Sequence, residues 1–195
     1  MSAASVAREF VKLSYAGKEP DPLTALRLHR LLYYAQGWSL AARGACLFPE
    51  PIQARRSGPE VRSVRPARGS VVGPKEFADA PALDEEESAF VRAVWEACRA
   101  FSASRLAEAT REEAPWRDAW GDRSDDDGAA PIPLEAIADH FARQPVPGPV
   151  AGHKRWRQEQ EHAARRRLEE SPALDFDAFK SMAPQRRKLA KVDKR

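Results

Sequence analysis

One segment of this 195-residue chain restricts its possible folds more than any other. Over residues 24–43, leucine, alanine and aromatic side chains recur at helical spacing for about five turns, without an interrupting proline. Thr24 and Gly44 are residue types that favour the first and last positions of a helix. We therefore predict a long helix that forms the centre of a mainly helical core. Its apolar face is widened by Tyr33, Tyr34 and Trp38.

Two details of this helix bear on packing and on partners. The interior Gly37 lowers helix propensity, so it predicts close packing against another stretch of backbone. Adjacent residues of a helix point in different directions, so Tyr33 and Tyr34 are not both expected to face the core. One of the two is expected to be half exposed, with its hydroxyl available to a partner.

Shorter helical patterns occur on both sides of the long helix. Val6, Phe10 and Leu13 predict a first helix, with Gly17 as its left-handed cap. The acidic residues at 84–87 favour the start of another helix, which reaches to about residue 101.

Two further short helices are predicted near the end of this region. The first is capped by Ser102 or Ser104 and stops before Pro115. The second covers residues 133–141, where apolar residues again lie on one helical face.

Prolines interrupt the helical patterns between the long helix and the acidic run. Pro49 and Pro51 disfavour helix, so residues 46–58 are predicted to be extended or to form a hairpin. Residues 59–68 are predicted to form a short helix that starts at a proline. Together these patterns predict a mainly α fold: a compact multi-helix domain with a short extended or hairpin segment and a basic helical or disordered C-terminal extension.

The charge of the chain is unevenly distributed. The whole sequence has 32 Lys and Arg against 29 Asp and Glu, whereas residues 151–195 hold 13 against 7. Prolines and glycines concentrate just before that region and predict a linker. We therefore assign residues 1–143 to the domain, 144–152 to the linker and 153–195 to a basic extension. Candidate contacts of the extension with phosphates or an acidic protein are Arg165, Arg166 and Arg167.

A second concentration of basic residues follows the long helix. It consists of Arg55, Arg56, Arg62, Arg65 and Arg68. Two interpretations remain open: the arginines are separately solvated, or they form a partner-binding face, since arginine is favoured at interfaces.

Catalytic and cofactor motifs are missing from the sequence. The two cysteines, Cys46 and Cys98, are too few for a disulfide framework or a thiolate zinc site and are expected to be small buried side chains. No phosphate-binding loop, nucleophile elbow or metal-ligand spacing of histidines occurs. We predict no enzyme activity, no metal and no cofactor.

One catalytic pairing remains as an alternative. It combines His29 with Glu60 or Glu50. A partly buried histidine with a hydrogen-bond partner is the favoured interpretation of His29, because the residue lies within the core helix.

No apolar stretch approaches the roughly 20 residues that a bilayer span requires. The first residues also lack the pattern of a secretory signal peptide. These features predict a cytoplasmic protein without membrane attachment.

The central part of the sequence resembles the Panacea antitoxin domain, a SocA-like family long called phage-associated protein. The resemblance covers about residues 4–142. It rests on LTALRLHRLLYYAQGW at 23–38, a hydrophobic-proline patch at 47–52, GPEV at 58–61, Val94-Trp95, Ser104, Leu106, Thr110 ahead of Pro115-Trp116, and the Ile132-Pro133 ending.

The sequence departs from the family pattern at a few positions. Arg111 stands where the family commonly has histidine, and Arg55 or Arg56 where tryptophan is usual. Glu60 interrupts the Gly-Pro-Val motif. These positions bear on partner preference, whereas the core motif bears on the fold.

The resemblance implies a non-enzymatic, mainly helical antitoxin that binds and neutralises a cognate toxin, usually encoded by the neighbouring gene. Some relatives act as proteolytic adaptors that deliver the toxin to a protease. The predicted contact residues are Tyr34, Trp38, Arg55, Arg56 and Arg62. The alternative function is a nucleic-acid-binding regulator that acts through the basic C-terminal tail.

Overall fold

The computed structural model describes residues 1–66, 71–123 and 128–151. These residues belong to the first of two units, Met1–Arg157 and Gln158–Arg195. The described part is mainly helical with a small sheet, as the sequence predicts. Its helices are α1 (Ala3–Tyr15), α2 (Ala25–Arg43), α3 (Glu85–Cys98), α4 (Ala103–Glu112), α5 (Ala114–Trp120) and α6 (Leu134–Ala142). Its strands are β1 (Ile52–Arg55), β2 (Gly58–Val61) and β3 (Ala130–Pro131).

Helix α2 is the centre of the core and has the predicted ends. The Thr24 hydroxyl accepts a hydrogen bond from the backbone N–H of Arg27 at 3.2 Å, and Gly44 adopts the left-handed conformation with φ of 66°. Most side chains of α2 are buried, because α1, α3, α4, α6 and β2 all pack around it. The helix is therefore buried on more than one face.

Gln36 joins α2 to the chain that follows the helix. Its side-chain amide donates to the carbonyl of Phe48 at 3.1 Å, and its Oε1 accepts from the backbone N–H groups of Leu47 and Phe48 at 2.9 and 3.2 Å. The Gln36 side chain is fully buried, and these three hydrogen bonds offset the cost of removing its polar groups from water. The loop before β1 is thereby held against the core.

The strands form one antiparallel sheet in the order β2-β1-β3. The hairpin expected within residues 46–58 is present, although it reaches Val61. The helix predicted over residues 59–68 is wrong, because Pro59 lies within β2 and pairs with Ala54. The valine spacing that suggested a helix was too short a pattern to distinguish helix from strand.

Two other predictions need correction, and one helix was missed. Gly17 is not a left-handed cap, since α1 ends at Ala16 in a right-handed conformation. Cys46 is exposed, whereas Cys98 is buried as expected. Helix α4 stops before Pro115 as predicted, but a further helix that was not predicted, α5, follows at once, with Pro115 in its first turn, where proline is tolerated.

The C-terminal part of the domain extends beyond the predicted boundary at residue 143. Residues 148–151 are helical, and Val150 is fully buried in the core. The stretch assigned to a linker therefore packs on the domain up to the last described residue. Residues 67–70, 124–127 and 152–195, which include Arg68, the tail arginines at 165–167 and the acidic run at 125–127, lie outside the described part of the chain. Within that part, no helix is long and apolar enough to cross a membrane.

Candidate functional site

One candidate site is a groove of about 970 Å³ beside the hairpin. Its lining comes from the start of α2, from β1, β2 and the turn after them, and from the ends of α4 and α5. We call it the arginine groove because five arginines line it: Arg55, Arg56, Arg62, Arg65 and Arg111. Among its described lining residues, Glu60 is the one carboxylate.

Glu60 is already engaged within the groove. Its Oε2 lies 3.3 Å from Nε of Arg55, and its Oε1 accepts a hydrogen bond from the Ser57 hydroxyl at 2.8 Å. Three of the arginines are exposed and form no ion pair within the described ranges: Arg62, Arg65 and Arg111. These three arginines therefore present positive charge that no ion pair with a described residue neutralises.

Buried Arg30 supports the groove from beneath the hairpin. Its guanidinium donates hydrogen bonds to the carbonyls of Ser57 and Pro59. Burial lowers the pKa of Arg30 to about 10, so the side chain remains a cation at neutral pH. A Cβ on Gly58, which has φ of 119°, would lie only 2.6 Å from this guanidinium. Glycine is therefore required for the close approach of the turn to Arg30.

His29 lines the groove next to Arg30. Its Nδ1 accepts a hydrogen bond from the backbone N–H of Val61 at 3.3 Å, which is the partner expected for a buried histidine. Burial lowers the pKa of His29 to about 4, opposed by the charge of Glu60 and assisted by that of Arg30. The imidazole is therefore neutral at physiological pH.

Together, His29 and Arg30 close the outer edge of the sheet. The outward-facing carbonyls of Ser57 and Pro59 and the N–H of Val61 all bond to side chains of α2. An exposed edge strand would offer these groups to another chain. Here they are occupied, so a ligand of the groove meets side chains rather than a free strand edge.

A pair of stacked tryptophans stands beside the arginines. The rings of Trp116 and Trp120 are 5.9 Å apart with an interplanar angle of 11°, and Trp120 lines the groove. The indole N–H of Trp116 donates to the carbonyl of Arg55 at 2.9 Å, which ties α5 to β1. Sequence reasoning missed this pair because it missed α5; the four-residue spacing of the tryptophans was the available signal.

A second cavity of about 220 Å³ lies at the junction of α4 and α5 with α2 and α6. We call it the Glu113 pocket. It is lined by Tyr34, Trp38, Glu113, His140, Phe141, Gln144 and Pro145. The hydroxyls of Tyr33 and Tyr34 donate to the two carboxylate oxygens of Glu113, at 2.7 and 3.0 Å.

Burial dominates the electrostatics of this pocket. It raises the pKa of Glu113, while the hydrogen bonds from the tyrosines and the charge of His140 act in the opposite direction. Burial and the nearby carboxylate raise the pKa values of Tyr33 and Tyr34. Both hydroxyls therefore remain protonated donors at physiological pH.

The structure divides the predicted contact residues between the two cavities. Arg55, Arg56 and Arg62 come together in the arginine groove. Tyr34 and Trp38 line the Glu113 pocket, where Trp38 is only 6% exposed. Tyr34 is half buried, as expected for one of the two tyrosines, but its hydroxyl is engaged by Glu113.

The catalytic alternative is only partly assembled. His29 and Glu60 line the same groove, but Glu50 is not among its lining residues and accepts a hydrogen bond from the N–H of Ala3 at 3.0 Å. Within the described ranges, no group of three or more His, Cys, Asp and Glu residues is arranged to hold a metal ion.

No protein-family model, curated protein or solved structure matches this chain.

Proposed function

We propose that this protein is an antitoxin of the Panacea type, which neutralises a cognate toxin by binding it through the arginine groove. The observation that carries the proposal is the gathering of five arginines around one groove whose described lining includes a single, already paired carboxylate. Protein surfaces generally mix both signs of charge, so such a groove calls for an anionic partner.

The rigidity of the groove supports a role in recognition. The hairpin is held by Arg30 and His29 from below and by Trp116 from the side. A preorganised surface loses little conformational entropy when a partner binds. Guanidinium groups also bind carboxylates through paired, charge-assisted hydrogen bonds. An acidic segment of a toxin is therefore the expected occupant.

The departures from the family pattern give the proposal further support. Arg55 and Arg56, one of which replaces the usual tryptophan, line the groove together with Glu60 and Arg111. Residues that differ from the pattern of a binding family while lining one surface are candidates for partner specificity. Neutralisation follows either from covering the toxin's active surface or, as in an adaptor, from delivering the bound toxin to a protease.

A nucleic-acid-binding regulator is the second candidate. Trp120 favours it, because an aromatic ring beside arginines can stack on a base while the guanidinium groups contact phosphates. In this alternative, the folded domain would contact nucleic acid together with the basic tail. The two candidates differ in salt dependence, since phosphate contacts give a steep loss of affinity with rising salt.

The test is coexpression with the product of the neighbouring gene, followed by copurification and a growth assay. We expect a complex and rescue of growth with the wild type. The double substitution Arg62→Glu and Arg111→Glu should weaken the complex by at least about 10-fold, as expected for close interfacial charge pairs. The matched control is Arg105→Glu, an exposed arginine of α4 outside the groove.

Two outcomes would contradict the proposal. Absence of both complex and rescue with the wild type would remove the antitoxin function. A complex that survives the groove substitutions but is lost when the chain ends at Arg157 would move the interface to the basic extension. Steeply salt-dependent binding to the promoter, without a protein partner, would favour the regulator.

A further inference from the structure

Glu113 is a carboxylate in an unusual position. It is the single residue between α4 and α5. Its side chain does not cap α5 with a hydrogen bond and instead accepts hydrogen bonds from side chains of α2. Tyr33 and Tyr34 each donate to one of its oxygens. Each carboxylate oxygen has two lone pairs, so each retains capacity for another donor.

The charge of Glu113 has no permanent counterpart in the described part of the chain. No lysine or arginine described by the structure forms an ion pair with it. His140 Nε2 lies 3.4 Å from its Oε2, but the imidazole carries a charge only when protonated. Carboxylates are rarely buried unless they are paired. A permanent cation beside Glu113 would therefore stabilise its ionised form against the cost of burial.

The walls of the Glu113 pocket are suited to an organic cation. Tyr34, Trp38 and Phe141 line it, and the Trp38 and Phe141 rings meet edge to face with centroids 4.9 Å apart. The ring of Phe141 is also packed edge to face on Tyr34 at 5.9 Å. These contacts hold the rings in fixed orientations. Aromatic faces attract cations, and a preformed wall adds no ordering cost.

The pocket is open to an incoming group. The side chains of Glu113 and His140, which both line the cavity, are 16% and 15% exposed. Its volume of about 220 Å³ is large enough for the head and first methylenes of one long side chain. Gln144 and Pro145, also in the lining, are exposed.

We propose that the Glu113 pocket binds the guanidinium of an arginine side chain that the protein partner supplies. Guanidinium is favoured over ammonium because its planar fork matches a carboxylate and its faces pack on aromatic rings. The source of the arginine rests on the proposed function, whereas the chemistry of the pocket does not. An acidic segment in the arginine groove and an arginine in the Glu113 pocket would together fix the partner's orientation.

The first experiment tests the pocket by itself. The full chain is titrated with N-acetyl-arginine amide, with the neutral isostere N-acetyl-citrulline amide and with N-acetyl-lysine amide. Binding is followed by the NMR signals of the Trp38 indole N–H and the His140 ring. We expect saturable shifts with arginine, at least about five-fold weaker binding of lysine, and no saturation with citrulline.

A matched pair of variants locates the binding. Glu113→Gln removes the charge and keeps an oxygen acceptor, so it should abolish saturation by the arginine probe. Glu108→Gln makes the same change at an exposed position of α4 and should leave the titration unaltered. If Glu113→Gln does not fold, the comparison of arginine with citrulline on the wild type still decides the question.

The failures of this inference and of the proposed function are distinguishable. Equal responses to arginine and citrulline, or binding retained in a folded Glu113→Gln variant, would overturn the arginine site while leaving a copurifying toxin complex intact. Arginine-selective binding without any protein complex would instead contradict the source of the arginine. In a complex formed as proposed, Glu113→Gln should weaken toxin binding at least about 10-fold, and Glu108→Gln should not.

Discussion

At the residue scale, the groove depends on two adjacent polar side chains of a core helix. Arg30 is fully buried, and His29 is 9% exposed, yet each has a specific backbone partner in the hairpin. Buried polar groups are tolerated when they are hydrogen-bonded, and their loss leaves the partners unsatisfied. The stability of the domain and the shape of the arginine groove are therefore linked through these two residues.

Arg30→Met should destabilise the domain by about 3 kcal/mol, because methionine fills much of the space but leaves the carbonyls of Ser57 and Pro59 without this donor. Urea unfolding followed by circular dichroism measures this change. The control is Arg62→Met, an exposed arginine of the same groove, which should shift stability by less than about 0.5 kcal/mol. Equal effects of the two substitutions would refute the role of Arg30 as a clamp.

The depressed pKa of His29 predicts a pH dependence of stability. The folded-state pKa is about 4 against 6.5 for an unperturbed histidine, so the unfolded chain binds the proton more readily. Stability is therefore complete above about pH 6.5 and declines as the pH falls toward 4. The full shift corresponds to about 3 kcal/mol, an upper bound for this residue.

His29→Asn isolates this contribution, because asparagine keeps an acceptor for the Val61 N–H and does not titrate. The free energy of unfolding of the wild type minus that of the variant should therefore decrease between pH 7 and pH 4.5, because only the wild type loses stability through this residue. Glu113 contributes with the opposite sign, since its raised pKa adds stability as the pH falls, but both proteins share it. A pH-independent difference between the two would contradict the predicted shift.

At the element scale, α2 and α6 pack through a glycine contact. A Cβ on Gly37 would lie 2.3–2.5 Å from the ring carbons of Phe141. The glycine therefore makes room for an aromatic ring, whereas the sequence predicted close packing against backbone. That ring also contacts Trp38 and lines the Glu113 pocket. The close approach of α6 to α2 therefore sets the shape of the pocket.

Gly37→Ala should destabilise the domain by about 2 kcal/mol, because the overpacked ring outweighs the gain of about 1 kcal/mol in helix propensity. Thermal and urea unfolding measure the change. The double variant Gly37→Ala with Phe141→Leu should cost less than the sum of the single substitutions, since leucine leaves room for the added methyl group. Strict additivity would show that the contact is not responsible.

At the scale of the whole molecule, the last described residues of the domain pack against its core. Val150 is fully buried, and Ala151 donates its N–H to the carbonyl of Pro147 at 2.8 Å. The prolines around it predicted a linker, because proline-rich segments lack regular hydrogen bonding. Burial of one apolar side chain nevertheless anchors this segment to the core.

Val150→Ala should cost about 2 kcal/mol of stability, from two methyl groups removed from a filled core. Differential scanning calorimetry provides the measurement. Val71→Ala is the control, because Val71 is 54% exposed and its truncation should change stability by less than about 0.5 kcal/mol. If Val150→Ala leaves the stability of the domain unchanged, residues 144–152 act as the linker that the sequence predicts.

The sequence by itself determined most of the helices, because their signals are local. Thr24, Ser102 and Asp84 each accept a hydrogen bond from the third residue of the helix that follows, and Gly44 ends α2 as predicted. Apolar periodicity then places the buried faces. At Pro59 the local signal was ambiguous, the helix prediction was wrong, and cross-strand pairing decided the conformation. Helix α4 ends before Pro115 as predicted, but the short helix α5 that follows was not predicted.

Only the tertiary structure decided which residues line each of the two cavities, because these residues are distant in sequence. The arginine groove joins His29 to residues 55–66, Arg111 and Trp120, and the Glu113 pocket joins Tyr34 to Glu113 and His140. Residue types alone indicated arginines and aromatics as contacts, but not which of them share a surface. Packing also shifted the pKa values of buried groups, since burial is the largest cause of both the lowered pKa of His29 and the raised pKa of Glu113.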